Sequence, residues 1–124
     1  MSNASENSYE RGQRAELVAL DYLKNNGLEL LEHNYHGPGG EIDLIMLDNN
    51  VIVFIEVRYR SNNSYAGAIE SIDRKKCERI IKTSQKYLQN NRWASRNLCR
   101  LDVITISGSI DNPGIGWIKN AFQA

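Results

Sequence analysis

An α/β fold, with a mixed central sheet flanked by helices, is predicted by three observations. Residues 9–26 and 71–90 repeat apolar side chains at the helical period, whereas 28–34, 40–59 and 100–107 carry the short apolar runs of strands. The segment GEIDLIMLDNNVIVFIEVRY at 40–59 reads as a hairpin turning at Asn49-Asn50, a pair suited to the positive φ angles of a two-residue loop. Both faces of that hairpin are apolar through the middle, so it belongs inside a sheet covered on two sides. The order αβββαβ, with a short strand to close, follows.

The first helix is expected over Tyr9–Asn26, stopped by Gly27, with Ala15, Val18, Ala19, Tyr22 and Leu23 as its apolar stripe. Glu16 lies beside that stripe, at the border of the sheet. A strand over Leu28–Asn34 leads into HGPGG, whose glycines and proline mark irregular backbone. After the hairpin, SNNSYAG at 61–67 is a polar loop. The second helix, Ser71–Asn90, buries Cys77, Ile80, Ile81, Ser84, Tyr87 and Leu88. Its opposite side carries Lys75, Arg79, Lys82 and Lys86, spaced to share one face. A basic linker, Asn90–Asn97, precedes a strand at Arg100–Ser107, and Gly116–Phe122 adds a last short one. Residues 1–8 read as a disordered leader and 9–124 as a single domain.

The hairpin carries the chemistry. A two-residue loop pairs residues whose numbers sum to a constant, which sets Asp43 opposite Glu56 and Glu41 opposite Arg58. Cross-strand Cβ atoms stand roughly 4.5–5.5 Å apart, and like charges so placed repel. Two carboxylates facing each other at the rim of a buried sheet need a shared proton or a cation, and a hard divalent metal bound by oxygens fits. Acidic residues at strand ends are otherwise ordinary solvated edges, and Glu41 could simply pair with Arg58.

Charge is distributed unevenly along the neutral chain. Residues 1–57 hold ten acidic side chains against three basic ones, and residues 74–100 hold nine basic ones against Glu78. An acidic site beside a basic surface suits an enzyme acting on a polyanion. No apolar run approaches the ~20 residues of a membrane span, and MSNASENSYE has no signal-peptide core. Cys77 and Cys99 lack metal spacing and are expected as buried thiols in a reducing cytoplasm. His33 and His36 flank a turn without the spacing of a helical metal pair. Trp117 is expected in the core, Trp93 is a candidate for base stacking, and Arg100 and Asp102 are expected to form an ion pair within the sheet.

GQRAELVALDYL at 12–23, GEIDLI at 40–45, VFIEVRYRS at 53–61, KKCERIIKTSQKYL at 75–88, RLDVITI at 100–106 and WIKNAF at 117–122 together resemble the bacterial YraN-like family, within the PD-(D/E)xK nuclease superfamily. The resemblance implies a restriction-endonuclease-like core, similar to archaeal-type Holliday-junction resolvases. It further implies Mg²⁺ or Mn²⁺ held by Glu16, Asp43 and Glu56, with the Val57 carbonyl as a further ligand; beside the resemblance, Glu41 is a candidate to help hold the ion. The superfamily lysine falls on Arg58, whose guanidinium orients groups and neutralises charge but does not lose its proton. Metal-dependent phosphodiester hydrolysis is the function so implied, with Asp43, Glu56 and Arg58 catalytic. Lys75, Arg79, Lys82 and Lys86 would hold the phosphates of a nucleic acid, DNA foremost. Two readings stay open beside it: a non-catalytic nucleic-acid-binding module on the same fold, and an interaction subunit that forms a homodimer through the basic helix or a sheet edge.

Overall fold

The computed structural model describes residues 7–60, 74–109 and 111–121. In chain order the elements are α1 (Ser8–Asn25), β1 (Glu29–Gly37), β2 (Gly40–Asp48), β3 (Val51–Arg60), α2 (Arg74–Asn90), a single turn α3 (Arg92–Ser95), β4 (Leu98–Ser109) and β5 (Asn112–Ile118). The strands form one mixed sheet in the order β1-β2-β3-β4-β5. β3 and β4 run parallel, with α2 in the connection that such a pair requires, and every other neighbouring pair is antiparallel. The leader up to residue 6, the 61–67 loop, the 71–73 start of the second helix and Phe122 lie outside the described residues. Among the described residues no helix is long and apolar enough to cross a membrane.

Helices cover both faces. Ala15, Ala19, Leu20 and Leu23 of α1 pack on Leu44, Met46, Val53, Ile55, Ile104 and Ile106. On the other face Ile80 and Tyr87 of α2 pack with Ile45, Ile52, Phe54 and Leu101. Tyr87 meets Tyr35 and Phe54 edge to face, with ring centroids 5.2 and 5.9 Å apart. α1 begins in a capping box, in which the Asn7 side chain accepts from the Glu10 amide at 2.8 Å and the Glu10 carboxylate accepts from the Asn7 amide at 3.1 Å. Gly27, at φ 93°, closes it as expected.

The hairpin register is the one the turn predicts. Asn49 takes a left-handed φ of 57°, and the ladder runs from Asp48↔Val51 to Leu44↔Ile55. There it stops. Instead of continuing to a ladder bond, the Val57 amide donates to the Asp43 carboxylate at 2.8 Å. Alternation also breaks at this level. Strict alternation predicts Ile42 on the Leu44 face, yet Ile42 and its neighbour Tyr35 join the cluster under α2, while His33 reaches Glu16 on α1. Between the pairs His33↔Leu44 and Tyr35↔Ile42 sits Asn34, with a left-handed φ of 56° that turns the chain over within the strand.

Other boundaries move for local reasons. β1 continues through Gly37, because that glycine and Gly39 lie against α2: a Cβ on Gly39 would overlap the Arg79 carbonyl. The Gly39 amide donates to Thr83 Oγ1 at 3.0 Å, so the HGPGG turn is clamped to the helix. The basic linker contains α3. The last strand starts at Asn112 and gives way at Lys119-Asn120 to a turn, with Asn120 at φ 54°, rather than running over Gly116–Phe122. That turn is fixed by Asp102, which is fully buried and accepts from the Asn120 amide, Trp117 Nε1 and Arg100 Nε at 2.8–3.1 Å. The expected Arg100–Asp102 pair is thus present, and Trp117 is half-buried. The thiols depart from expectation: Cys77 is half-buried and Cys99 exposed.

Candidate metal centre

β2 and β3 separate just past Leu44 and Ile55, and the polar side chains gather in that opening. Glu16 comes from α1, one turn before Ala19 and Leu20 bury the helix against the sheet. Asp43 and Glu41 come from β2 at and beyond the alternation fault. One carboxylate oxygen from each lies within 4.8 Å of those from the other two. The fault assembles this trio: it leaves Ile42 to the α2 face and Glu41 and Asp43 near α1. Strict alternation would have set Glu16 against an apolar row.

Each carboxylate already has a polar neighbour. His33 Nε2 lies 3.1 Å from Glu16 Oε1. With its amide oriented to satisfy both ends, Asn34 donates to Glu16 Oε1 at 3.0 Å and to Glu41 Oε2. His36 Nε2 stands 3.8 Å from Glu41 Oε1. Glu16 and Asp43 each bring a carboxylate oxygen within 4.8 Å of the other, close enough for one proton or one cation to serve both. Burial first, then the negative charge of Glu56, raise the Asp43 carboxyl from its ordinary 3.8 to about 9, against the lowering effect of the Val57 N–H. Burial likewise raises Glu16, opposed by its bond to His33. At neutral pH the cluster therefore holds a proton where a cation would serve better.

Glu56 is placed differently from the expectation. It is outside the 4.8 Å trio, although its charge reaches Asp43. Its side chain is only 6% exposed, and Lys76 Nζ of α2 stands 3.0 Å from Oε2, with Arg58 Nη2 at 3.5 Å. Arg58 thus neighbours Glu56 and not Glu41, because Glu41 has gone to the α1 side. Arg58 Nε is buried with no hydrogen-bond partner, an uncommon state for a guanidinium nitrogen. Lys76 was not singled out by the sequence. Its signal was the position one residue off the exposed basic stripe, at the start of the helix that follows β3.

Lys75, Arg79, Lys82 and Lys86 are all exposed, as their spacing predicts. Three of them, with Glu78, line an open hollow of about 240 Å³. Glu16, Glu41, Asp43, Glu56, Arg58, Lys76 and this stripe all fall inside the region matched by one family model, described as "Uncharacterised protein family UPF0102", which covers residues 15–106. The chain belongs to the UPF0102 family. A UPF0102 protein of Stutzerimonas stutzeri is 43% identical over 118 residues, 94% of this chain and 98% of its own length. Another, from Legionella pneumophila strain Corby, is 47% identical over 115 residues, 93% and 96% of the two chains. A third, from Methylococcus capsulatus, is 43% identical over 113 residues, or 91% and 90%. UPF0102 membership thus extends over nearly the whole chain, α1 with Glu16 included, so the centre is not split between a matched and an unmatched part.

Proposed function

We infer that the chain is a divalent-metal-dependent nuclease on a restriction-endonuclease-like, PD-(D/E)xK core, hydrolysing phosphodiester bonds in nucleic acid, DNA foremost. One observation carries this reading: a half-buried carboxyl held up at about 9 beside two further carboxylates, with one oxygen of each within 4.8 Å of the others. The trio fits Mg²⁺ or Mn²⁺. Oxygens on opposite sides of an octahedral ion at 2.0–2.1 Å stand about 4.2 Å apart, so small side-chain rotations close the set. When bound, the metal supplies Lewis acidity towards a phosphate oxygen and a more acidic water.

The chain's own groups divide the remaining work. Asp43 gives up its proton and remains fixed by the Val57 N–H, so it is orientated before any ligand arrives. Glu16 and Glu41 would hold the cation beside Asp43, with Asn34 within reach of both carboxylates. Arg58 Nε is a spare donor, and its guanidinium neutralises charge developing on the phosphate. Lys76 and Arg58 both stand against buried Glu56, which puts a lysine beside the centre even though position 58 is arginine. The exposed lysines and Arg79 of α2 hold flanking phosphates and read no sequence.

The non-catalytic binding module is favoured by one specific observation, the arginine at position 58, because a guanidinium is a poor proton acceptor. A cleavage panel separates the two. Labelled single-stranded, duplex, flap and four-way-junction DNA, and RNA, are incubated with the protein in Mg²⁺, Mn²⁺ or EDTA, beside Glu56→Gln prepared identically. Metal-dependent cutting that vanishes in the variant is the expected outcome. Binding without cutting in either metal would establish the module instead, and neither binding nor cutting would leave an interaction subunit.

A further inference from the structure

Beside the acidic trio lies a hollow of about 220 Å³, lined by Tyr9, Gln13, Glu16, Asn34, His36 and Glu41. It is smaller than the roughly 300–1,000 Å³ of sites that enclose a whole drug-sized ligand, so it suits one flat group at the end of a larger one. Its rim holds an aromatic ring that the core does not use: Tyr9, in the first turn of α1, is 71% exposed. The ring is nevertheless tethered, because its hydroxyl accepts from Gln13 Nε2 at 3.0 Å. A tethered aromatic face loses little freedom when something stacks on it.

The charge of the hollow says what that something is. Glu16 and Glu41 form one wall, and both belong to the trio. Their negative charge rejects a bare phosphate but tolerates a neutral heterocycle. The remaining wall offers hydrogen-bonding groups of its own: the Gln13 amide, and the His36 ring, 78% exposed.

We propose that this hollow receives an unpaired nucleobase, stacked on Tyr9, from the nucleotide next to the phosphate at the carboxylate trio. The proposal rests on the nuclease reading and narrows its substrate class. A base inside a duplex has both faces covered by its neighbours and presents edges alone. The ring can stack only on a single strand, a fork or a base turned out of the helix. The protein therefore discriminates by strand structure, through α1, while the basic face of α2 binds any nucleic-acid backbone.

Anisotropy titrations of labelled single-stranded, flap and duplex DNA in Ca²⁺, a divalent ion that can join a phosphate to the trio, with gels run beside them to verify that the DNA stays intact, test this. Tyr9→Ala is expected to weaken single-stranded and flap binding about 5- to 150-fold, the range for losing one base–aromatic stack, with duplex affinity unchanged. Tyr9→Phe keeps the ring and is expected to stay within about threefold of wild type. Because Tyr9 is exposed, both variants should melt with the wild type, which separates lost stacking from lost fold. Equal weakening on all three DNAs, or none on any, would overturn the subsite and leave the nuclease reading standing. A wild-type protein that binds no nucleic acid would overturn both.

Discussion

Replacing Asp43 by asparagine should make the metal-free protein more stable while removing its response to metal. The unfolded chain ionises this carboxyl near 3.8, whereas the folded chain keeps it protonated up to about 9. Each pH unit between those limits costs the fold about 1.4 kcal/mol. At pH 7 roughly three such units have accumulated, about 4 kcal/mol as an upper figure. Partial solvent access and rearrangement of neighbouring acids reduce this, so about 2–4 kcal/mol is the expected gain. Asparagine is nearly isosteric, still accepts from the Val57 N–H and can donate to Glu16. The sign follows from linkage. Below pH 3.8 the carboxyl is protonated in folded and unfolded chains alike, and the two proteins should melt together. As pH rises the wild type loses stability, and the loss levels off above about 9. Thermal melts in EDTA should therefore show the variant ahead by about 6–20 °C at pH 7, at about 3–5 °C per kcal/mol for a domain of this size, and level with wild type near pH 4. Added Mn²⁺ should raise the melting temperature of the wild type only. A variant equal to or less stable than wild type at pH 7 in EDTA would refute the claim that burial and neighbouring acids strain this carboxyl.

Gly39→Ala should cost about 1–3 kcal/mol, measured by denaturant melts, because its Cβ overlaps the Arg79 carbonyl and stands 2.8 Å from Thr83 Oγ1. Asp102→Ala removes the acceptor of three donors and leaves Arg100 with Asp48 alone, so about 3–5 kcal/mol should be lost. Truncating Lys82 and Lys86 together should lower DNA affinity on every substrate and flatten the plot of log affinity against log salt by about 0.9 for each duplex phosphate no longer neutralised. An unchanged slope would remove those lysines from the nucleic-acid surface.

The hairpin was legible because its turn is local: Asn49 tolerates a left-handed φ, and the register from Asp48↔Val51 to Leu44↔Ile55 follows from the loop length. The helices were legible because their apolar stripes are long and periodic. The centre was legible in its members and not in its arrangement. Its arrangement depends on a second left-handed asparagine, Asn34, in a strand that nothing local marks as faulted. That fault separates Glu41 from Arg58 and brings Glu41 and Asp43 to Glu16, so facing pairs inferred from strict alternation fail from Asp43 outward. The cation at Glu56 was also hidden, since Lys76 reaches it across the fold from α2 and no sequence period connects the two. HGPGG announced irregular backbone. Only packing shows that Gly39 is small to admit α2.

The proposed hydrolysis would need a divalent ion to displace the proton of Asp43, and that exchange can be counted. Calorimetric titration of Mn²⁺ into the protein at pH 7, in two buffers of different ionisation enthalpy, gives ions bound and protons released together. One ion per chain with about one proton released, and no binding to the Asp43→Asn chain, is the expected result. Mn²⁺ that binds without releasing a proton, or binds the Asp43→Asn chain equally well, would place the metal elsewhere and contradict the account.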